Sequence, residues 1–197
     1  NDPAMLESFA KADCVMFSGG DQSKIASVIG GTKLHKLILE KFQNENFVIA
    51  GTSAGAMAMA HEMIAGGSST ESLLKGAVVM RKGLGLMPEL IIDTHFIRRG
   101  RFGRLAEAVA IHPKLIGIGL AEDTGLIIKN GESFKVIGSG MVIVLEASQL
   151  THNAHGQLKV GTAMSMSNLT THILANGDKF TLSGRTIEIL PIHEKFV

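Results

Sequence analysis

Asn46-Phe-Val-Ile-Ala-Gly-Thr-Ser-Ala-Gly-Ala-Met-Ala-Met-Ala60 runs from a short β-rich apolar segment straight into an Ala/Met-rich stretch of helical composition, with Ser53 at the join between Gly51 and Gly55. Strand, glycine-flanked serine and helix in that order make a G-x-S-x-G nucleophile elbow, in which the serine adopts a strained backbone and projects its hydroxyl. The glycines let the turn close, and backbone N–H groups at the helix start can stabilise an oxyanion. A tight turn packed with small residues is the competing reading. The rest of the chain decides between them.

On the N-terminal side, residues 3–11 read as a helix and Cys14–Phe17 as a strand. The turn Gly19-Gly20-Asp21-Gln22 then opens a further helix before the strand at residues 47–50. On the C-terminal side, beyond Gly66-Gly-Ser-Ser69, residues 78–80 are strand-like and Gly83-Leu-Gly85 is a turn. Leu90–Asp93 is a strand running into Thr94-His95-Phe96, residues 101–110 form a helix, and residues 115–120 form another strand before Ala121-Glu-Asp-Thr124. Short apolar strands separated by amphipathic helices imply a three-layer α/β domain with a mostly parallel sheet and helices on both faces. In such sheets the site lies at the carboxyl ends of the strands, so the Gly19–Gln22 turn and the serine elbow should converge on one crevice. From residue 125 onward the pattern is β-rich, and Asn130-Gly131 between two apolar runs marks a hairpin. Residues 1–197 read as one catalytic domain. The opening Asn-Asp-Pro-Ala-Met has neither an initiator methionine nor a signal peptide, so a longer, N-terminally extended protein is expected.

Composition narrows the function. The chain has 197 residues, of which 45% are hydrophobic, enough for a substantial core, and a formal net charge of +1. No global field draws in nucleic acid or an anionic membrane, and no apolar run is long enough to span a bilayer. Cys14 is the single cysteine, set in an apolar run, so it reads as a core filler and no internal disulfide can form. A cytoplasmic rather than a secreted protein is expected.

Serine is a weak nucleophile and needs a base, and the base needs an orienting group. Of eight histidines, His95 is best placed, because it ends a strand as Ser53 does. His35, His61, His112, His172 and His193 lack that setting and read as structural. His152 and His155 have H-x-x-H spacing without a completing carboxylate or thiolate, so they read as a solvated loop, and no metal or other cofactor is expected. For the orienting acid, Glu122 and Asp123 both follow a strand, whereas Asp93 is set aside as too close to His95 in sequence. Glu122 is the choice, giving the order Ser53, His95, Glu122. Backbone N–H groups of Gly20, Asp21 and Ala54 are the candidate oxyanion hole. Beside His95, Arg98-Arg-Gly-Arg-Phe-Gly-Arg104 carries planar forks suited to carboxylates, which points to an acidic peptide as substrate. No phosphate-binding glycine motif follows a strand.

Phe17-Ser-Gly-Gly-Asp-Gln22, Gly51-Thr-Ser-Ala-Gly-Ala56, Asp93-Thr-His-Phe-Ile-Arg-Arg-Gly-Arg-Phe-Gly-Arg-Leu105 and Gly117-Ile-Gly-Leu-Ala-Glu-Asp-Thr124 together resemble the cyanophycinases of the S51 family of serine peptidases, which also contains aspartyl dipeptidase. The resemblance implies a flavodoxin-like, class I glutamine-amidotransferase-like fold. It also implies hydrolysis of the cyanophycin polymer to β-Asp-Arg dipeptides, and a homodimer. It casts Ser53 as nucleophile, His95 as base, Glu122 as orienting acid and Gln22 as a substrate contact. Asp93, Thr94, Arg99, Arg101 and Arg104 become the substrate pocket, with Thr94 standing where the family pattern has glutamine. Aspartyl dipeptidase is the nearest enzymatic alternative. A binding module that keeps the elbow as architecture is the alternative of another class.

Overall fold

Short polar side chains set where the first helices start. In the computed structural model, which describes residues 2–67 and 73–190, α1 (Pro3–Ala10) begins where Asp2 accepts the Ala4 N–H at 3.0 Å. After β1 (Cys14–Phe17), Asp21 caps α2 (Gln22–Ile29) by accepting the Ser23 and Lys24 N–H groups, and Thr32 caps α3 (Lys33–Asn44). Each cap satisfies a donor that the first helical turn leaves without a partner. β2 (Val48–Gly51) then pairs parallel with β1, and α4 (Ala54–Ala58) follows the elbow.

The helical composition after Ser53 does not persist to Ala60. α4 ends after five residues, and the chain turns into β3 (Glu62–Gly67), which pairs antiparallel with β4 (Val78–Lys82) through a bulge between Ile64 and Gly66. Ser68 and Ser69 lie outside the described residues, as does His193.

β5 (Leu90–Asp93), α5 (Phe102–Ile111) and β6 (Ile116–Leu120) form a parallel crossover unit. β7 (Thr124–Lys129) and β8 (Ser133–Gly138) make the Asn130-Gly131 hairpin, whose two turn residues both have positive φ (54° and 68°), as a type I′ turn requires. There follow β9 (Val142–Glu146), the short pair β10 (His152–Asn153) and β11 (Met166–Ser167), then β12 (Thr170–Leu174), β13 (Lys179–Thr181) and β14 (Thr186–Glu188). Strand order is β12-β9-β6-β5 in one sheet and β14-β13-β8-β7 in another.

The molecule is thus mixed α/β, but only the β1–β2 and β5–β6 ladders are parallel, and the other ladders between described strands are antiparallel. The expected covering of helices on both faces also fails for the β5–β6 sheet. One face, with Ile91, Ile143 and Leu145, packs on Leu105, Ala108 and Val109 of α5. The opposite face, with Leu90, Ile92, Ile116, Ile118, Val142 and Val144, packs on Phe134, Val136 and Phe180 of the second sheet. The cause is legible in Gly117-Ile-Gly119. A Cβ on Gly117 would meet Val109 and Leu105, and one on Gly119 would meet the Phe96 ring, so β6 presents no side chain on the α5 face and lets the helix pack closely against it.

On β1 and β2, Val15, Phe17 and Ile49 face the cluster shared with α2 and α3. Met16 and Val48 on the reverse face are 59% and 61% exposed, and Cys14 is exposed beside them rather than filling a core. Among the described residues, no helix is long and apolar enough to cross a membrane.

Candidate active site

The elbow is built by steric exclusion. β2 ends at Gly51, the Thr52 N–H reaches back to the Phe17 carbonyl at 3.0 Å, and Ser53 takes φ 51°, ψ −119° before α4 begins. A Cβ at Gly51 would lie 2.8 Å from the Ala56 nitrogen, and one at Gly55 would lie 2.1 Å from the Phe17 oxygen, so both positions need glycine for close backbone approach. Positive φ at serine is costly and persists only where the surroundings fix it. Gly19 sits directly against the Ser53 side chain, Gly20 has φ 129°, and Ala54 is the first residue of α4.

His95 follows β5 with φ 51°, and Glu122 follows β6, adjacent to Asp123 at φ 48°. The Phe96 N–H donates to the Leu120 carbonyl at 3.0 Å and ties the two strand ends together. Ser53 Oγ is 3.1 Å from His95 Nε2, and His95 Nδ1 is 3.2 Å from Glu122 Oε1. A proton on Nδ1 donated to Glu122 leaves the Nε2 lone pair facing the serine hydroxyl. His95 and Glu122 side chains are 33% and 38% exposed, so solvent reaches the pair. Desolvation, the largest single influence, pushes the Glu122 pKa upward. It is outweighed by the residue's own backbone N–H, the His95 hydrogen bond and the charges of His95 and Arg98, which hold the carboxyl below its usual range. Asp123 is taken elsewhere, accepting from Ser139 Oγ at 2.5 Å.

These groups open onto a cavity of about 520 Å³, with Ser53, Thr94, His95 and Glu122 among its walls and Val48, Ile49, Met59, Met87 and Leu126 supplying apolar surface. An apolar pocket with a few convergent polar groups is the general form of a small-molecule or peptide site.

The remaining candidates are placed differently. Gln22 donates its amide to the Ile64 and Ala65 carbonyls (3.0 and 3.2 Å), at the bulge of β3, and Asp21 caps α2. Thr94 lines the cavity, but its hydroxyl points to Met57 Sδ at 3.5 Å. Asp93 is fully buried, and its carboxylate takes a two-pronged contact from Arg104 Nε and Nη2 (2.6 and 2.5 Å) and a third from Arg101 Nη1 (3.2 Å). Arg104 is itself only 4% exposed. Burial and the neighbouring Arg104 and Arg99 charges pull the Arg101 pKa down, opposed by Asp93. Arg98 and Arg99 stand exposed on the turn after His95. Sequence reasoning includes Arg98 in the arginine run without assigning it to the pocket; its place three residues beyond His95 is the signal that finds it. His155, expected in a solvated loop, lies instead with Nε2 3.5 Å from the buried Glu107, which also accepts the Gly76 and Val78 N–H groups. No group of three or more metal-ligating side chains is gathered among the described residues.

Residues 1–136 match the model of peptidase family S51. The chain is 40% identical over 173 residues to the cyanophycinase of Trichormus variabilis (strain ATCC 29413 / PCC 7937), a match covering 88% of this chain and 58% of that protein. It is 37% identical over 179 residues to the cyanophycinase of Geminocystis herdmanii (strain PCC 6308), covering 91% of this chain and 66% of that one. The chain therefore spans about three fifths to two thirds of the length of these relatives. Its fold is similar to the crystal structure of a peptidase from an acI-B1 Actinobacterium, with TM-score 0.62, 23% sequence identity and coverage of 92% of this chain and 64% of that one.

Proposed function

The chain belongs to peptidase family S51, and on that premise we propose that it is the catalytic part of a serine hydrolase that degrades cyanophycin to β-Asp-Arg dipeptides. The observation that carries the reading is the hydrogen-bonded series Ser53, His95, Glu122 at the carboxyl ends of β2, β5 and β6. His95 Nε2 accepts the Ser53 proton as Oγ attacks the scissile carbonyl. Glu122 holds the ring in the required tautomer and balances the imidazolium that forms. The tetrahedral oxyanion lies against backbone N–H groups of Ala54, Gly20 and Asp21. Collapse expels the amine with the proton returned by His95, and water then releases the acyl group from Ser53 by the same steps in reverse order of partners.

Both parallel pairs, β1–β2 and β5–β6, deliver their carboxyl ends to this site. That supports a flavodoxin-like sheet in which the two pairs are neighbours. Cytoplasmic action as a homodimer completes the reading. An intact-mass experiment with a serine-directed fluorophosphonate tests the chemistry, since one adduct is expected on the wild-type protein and none on Ser53→Ala. Incubation with cyanophycin tests the substrate by release of β-Asp-Arg. An unlabelled wild-type protein would remove the hydrolase reading, and a labelled protein inert toward cyanophycin would move the substrate to short Asp-containing peptides.

A further inference from the structure

The arginine run contains two kinds of side chain. Arg98 and Arg99 are exposed, whereas Arg101 and Arg104 converge on a carboxylate with no exposed surface, and none of Asp93, Arg101 and Arg104 lines the cavity that holds Ser53. Arg104 spends its Nε–Nη2 fork on Asp93, and Arg101 spends Nη1 on Asp93 and on the Thr94 carbonyl, so neither turns that fork toward a substrate.

What this network does hold is the backbone leading into His95. Asp93 Oδ1 accepts the Thr94 N–H at 2.8 Å, and Arg101 Nη1 donates to the Thr94 carbonyl at 2.6 Å. The Thr94 carbonyl lies in the peptide plane that precedes the His95 Cα, so its direction sets the His95 φ of 51°. Beyond His95, the Phe96 N–H is held by Leu120, the Arg99 N–H by the His95 carbonyl at 3.0 Å, and the Arg101 N–H by the Phe96 carbonyl at 3.0 Å. A histidine in this left-handed conformation needs such fixing on both sides.

We infer that Asp93, Arg101 and Arg104 form a buried clamp that positions His95 against Ser53 and Glu122, and that they are positioning residues rather than substrate contacts. The inference deepens the proposed function, and it leaves Arg98 and Arg99 as the arginines free to meet substrate carboxylates.

The test compares Arg101→Met and Arg104→Lys with the exposed control Arg81→Met in the full protein, using an uncharged fluorophosphonate that offers no carboxylate to any arginine. The clamp predicts that both site variants slow Ser53 labelling by about tenfold to a hundredfold, because small misplacements of a catalytic group cost factors of that size, while Arg81→Met labels as wild type. In parallel, NMR of ¹³C-labelled histidine rings, with the His95 signal assigned by its loss in His95→Gln, should show that signal displaced and the signals of the other histidines in place. If Arg101→Met and Arg104→Lys slow cyanophycin cleavage yet leave the labelling rate and the His95 signal unchanged, the side chains are substrate contacts and the clamp is overturned. If the wild-type protein neither labels nor cleaves, the functional reading falls while the His95 signal still judges the clamp. Should Arg104→Lys fail to fold, Arg101→Met carries the test, since its side chain lies at the margin of the network with 14% exposure.

Discussion

Replacing Gly55 by alanine puts one methyl group where the structure has room for none. The new Cβ would lie 2.1 Å from the Phe17 oxygen, 2.6 Å from its carbonyl carbon and 2.8 Å from its Cβ. All three atoms belong to β1, and no flexible side-chain tip can swing away to relieve the contact. The strand and α4 must separate by about 1 Å in an interior packed at crystalline density. Overpacking of this kind costs about 1–3 kcal/mol. The Phe17 oxygen is also the acceptor for the Thr52 N–H, so its displacement weakens a bond worth about 1 kcal/mol. A loss of about 2–4 kcal/mol is expected, read as a lower urea midpoint at unchanged slope. Because Ser53 sits between Thr52 and α4, the same shift moves Oγ away from His95 Nε2, and fluorophosphonate labelling should slow about a hundredfold in protein that remains folded. A Gly55→Ala protein with wild-type midpoint and wild-type labelling would refute the close approach and the geometry derived from it.

Ser53→Ala and His95→Ala should each lower kcat by several orders of magnitude, and the double variant by little more, because a nucleophile and its base act as a unit; additive losses in steady-state kinetics would show that they act separately. Glu122→Gln should fold as wild type in circular dichroism yet lose most of its kcat, since an amide neither balances the imidazolium nor enforces the tautomer. Glu62 lies among Lys82, His112 and His61, with desolvation raising its pKa but the Lys82 hydrogen bond and the three positive neighbours holding it below the ordinary 4.5. A depressed carboxylate pKa stabilises the fold above the ordinary value, and that stability is lost as pH falls through the folded value. Glu62→Gln should therefore lower Tm at pH 7 and match wild type once the pH is well below 4.5; a difference that grows toward acid would reverse the sign and reject the pairing.

The elbow was readable because glycine and strand-to-helix composition constrain the backbone locally, and Gly51, Ser53 and Gly55 lie within five residues of one another. His95 and Glu122 were readable for a topological reason, as each follows a short apolar strand. What local pattern could not carry was partner choice. Leu126, Phe134 and Val142 have the same strand-like character whether helices or a second sheet cover them, and the second sheet formed. Met63 and Ile64 follow an Ala/Met run that favours helix, yet pairing with Met80 and Arg81 made them β3. Arg104 illustrates the same limit for charge. Its neighbours in sequence include exposed arginines, and only the fold reveals that α5 turns it inward onto Asp93.

Three non-glycine residues with positive φ stand at or beside the site: Ser53 at 51°, His95 at 51° and Asp123 at 48°. Each follows the carboxyl end of a strand, and each such conformation costs on the order of 1–3 kcal/mol. Sequence propensity opposes all three, so the surrounding structure must impose them. At each turn one long-range backbone bond contributes to this: Thr52 N–H to the Phe17 carbonyl, Phe96 N–H to the Leu120 carbonyl, and Ser139 N–H to the Asp123 carbonyl at 2.9 Å. These bonds join β1 to β2, β5 to β6, and the start of β7 to the loop after β8. The strain of the site is thereby distributed over the pairings that define the fold. Loosening any one of the three junctions should release its residue to an ordinary conformation and separate Ser53, His95 and Glu122 before the core itself unfolds.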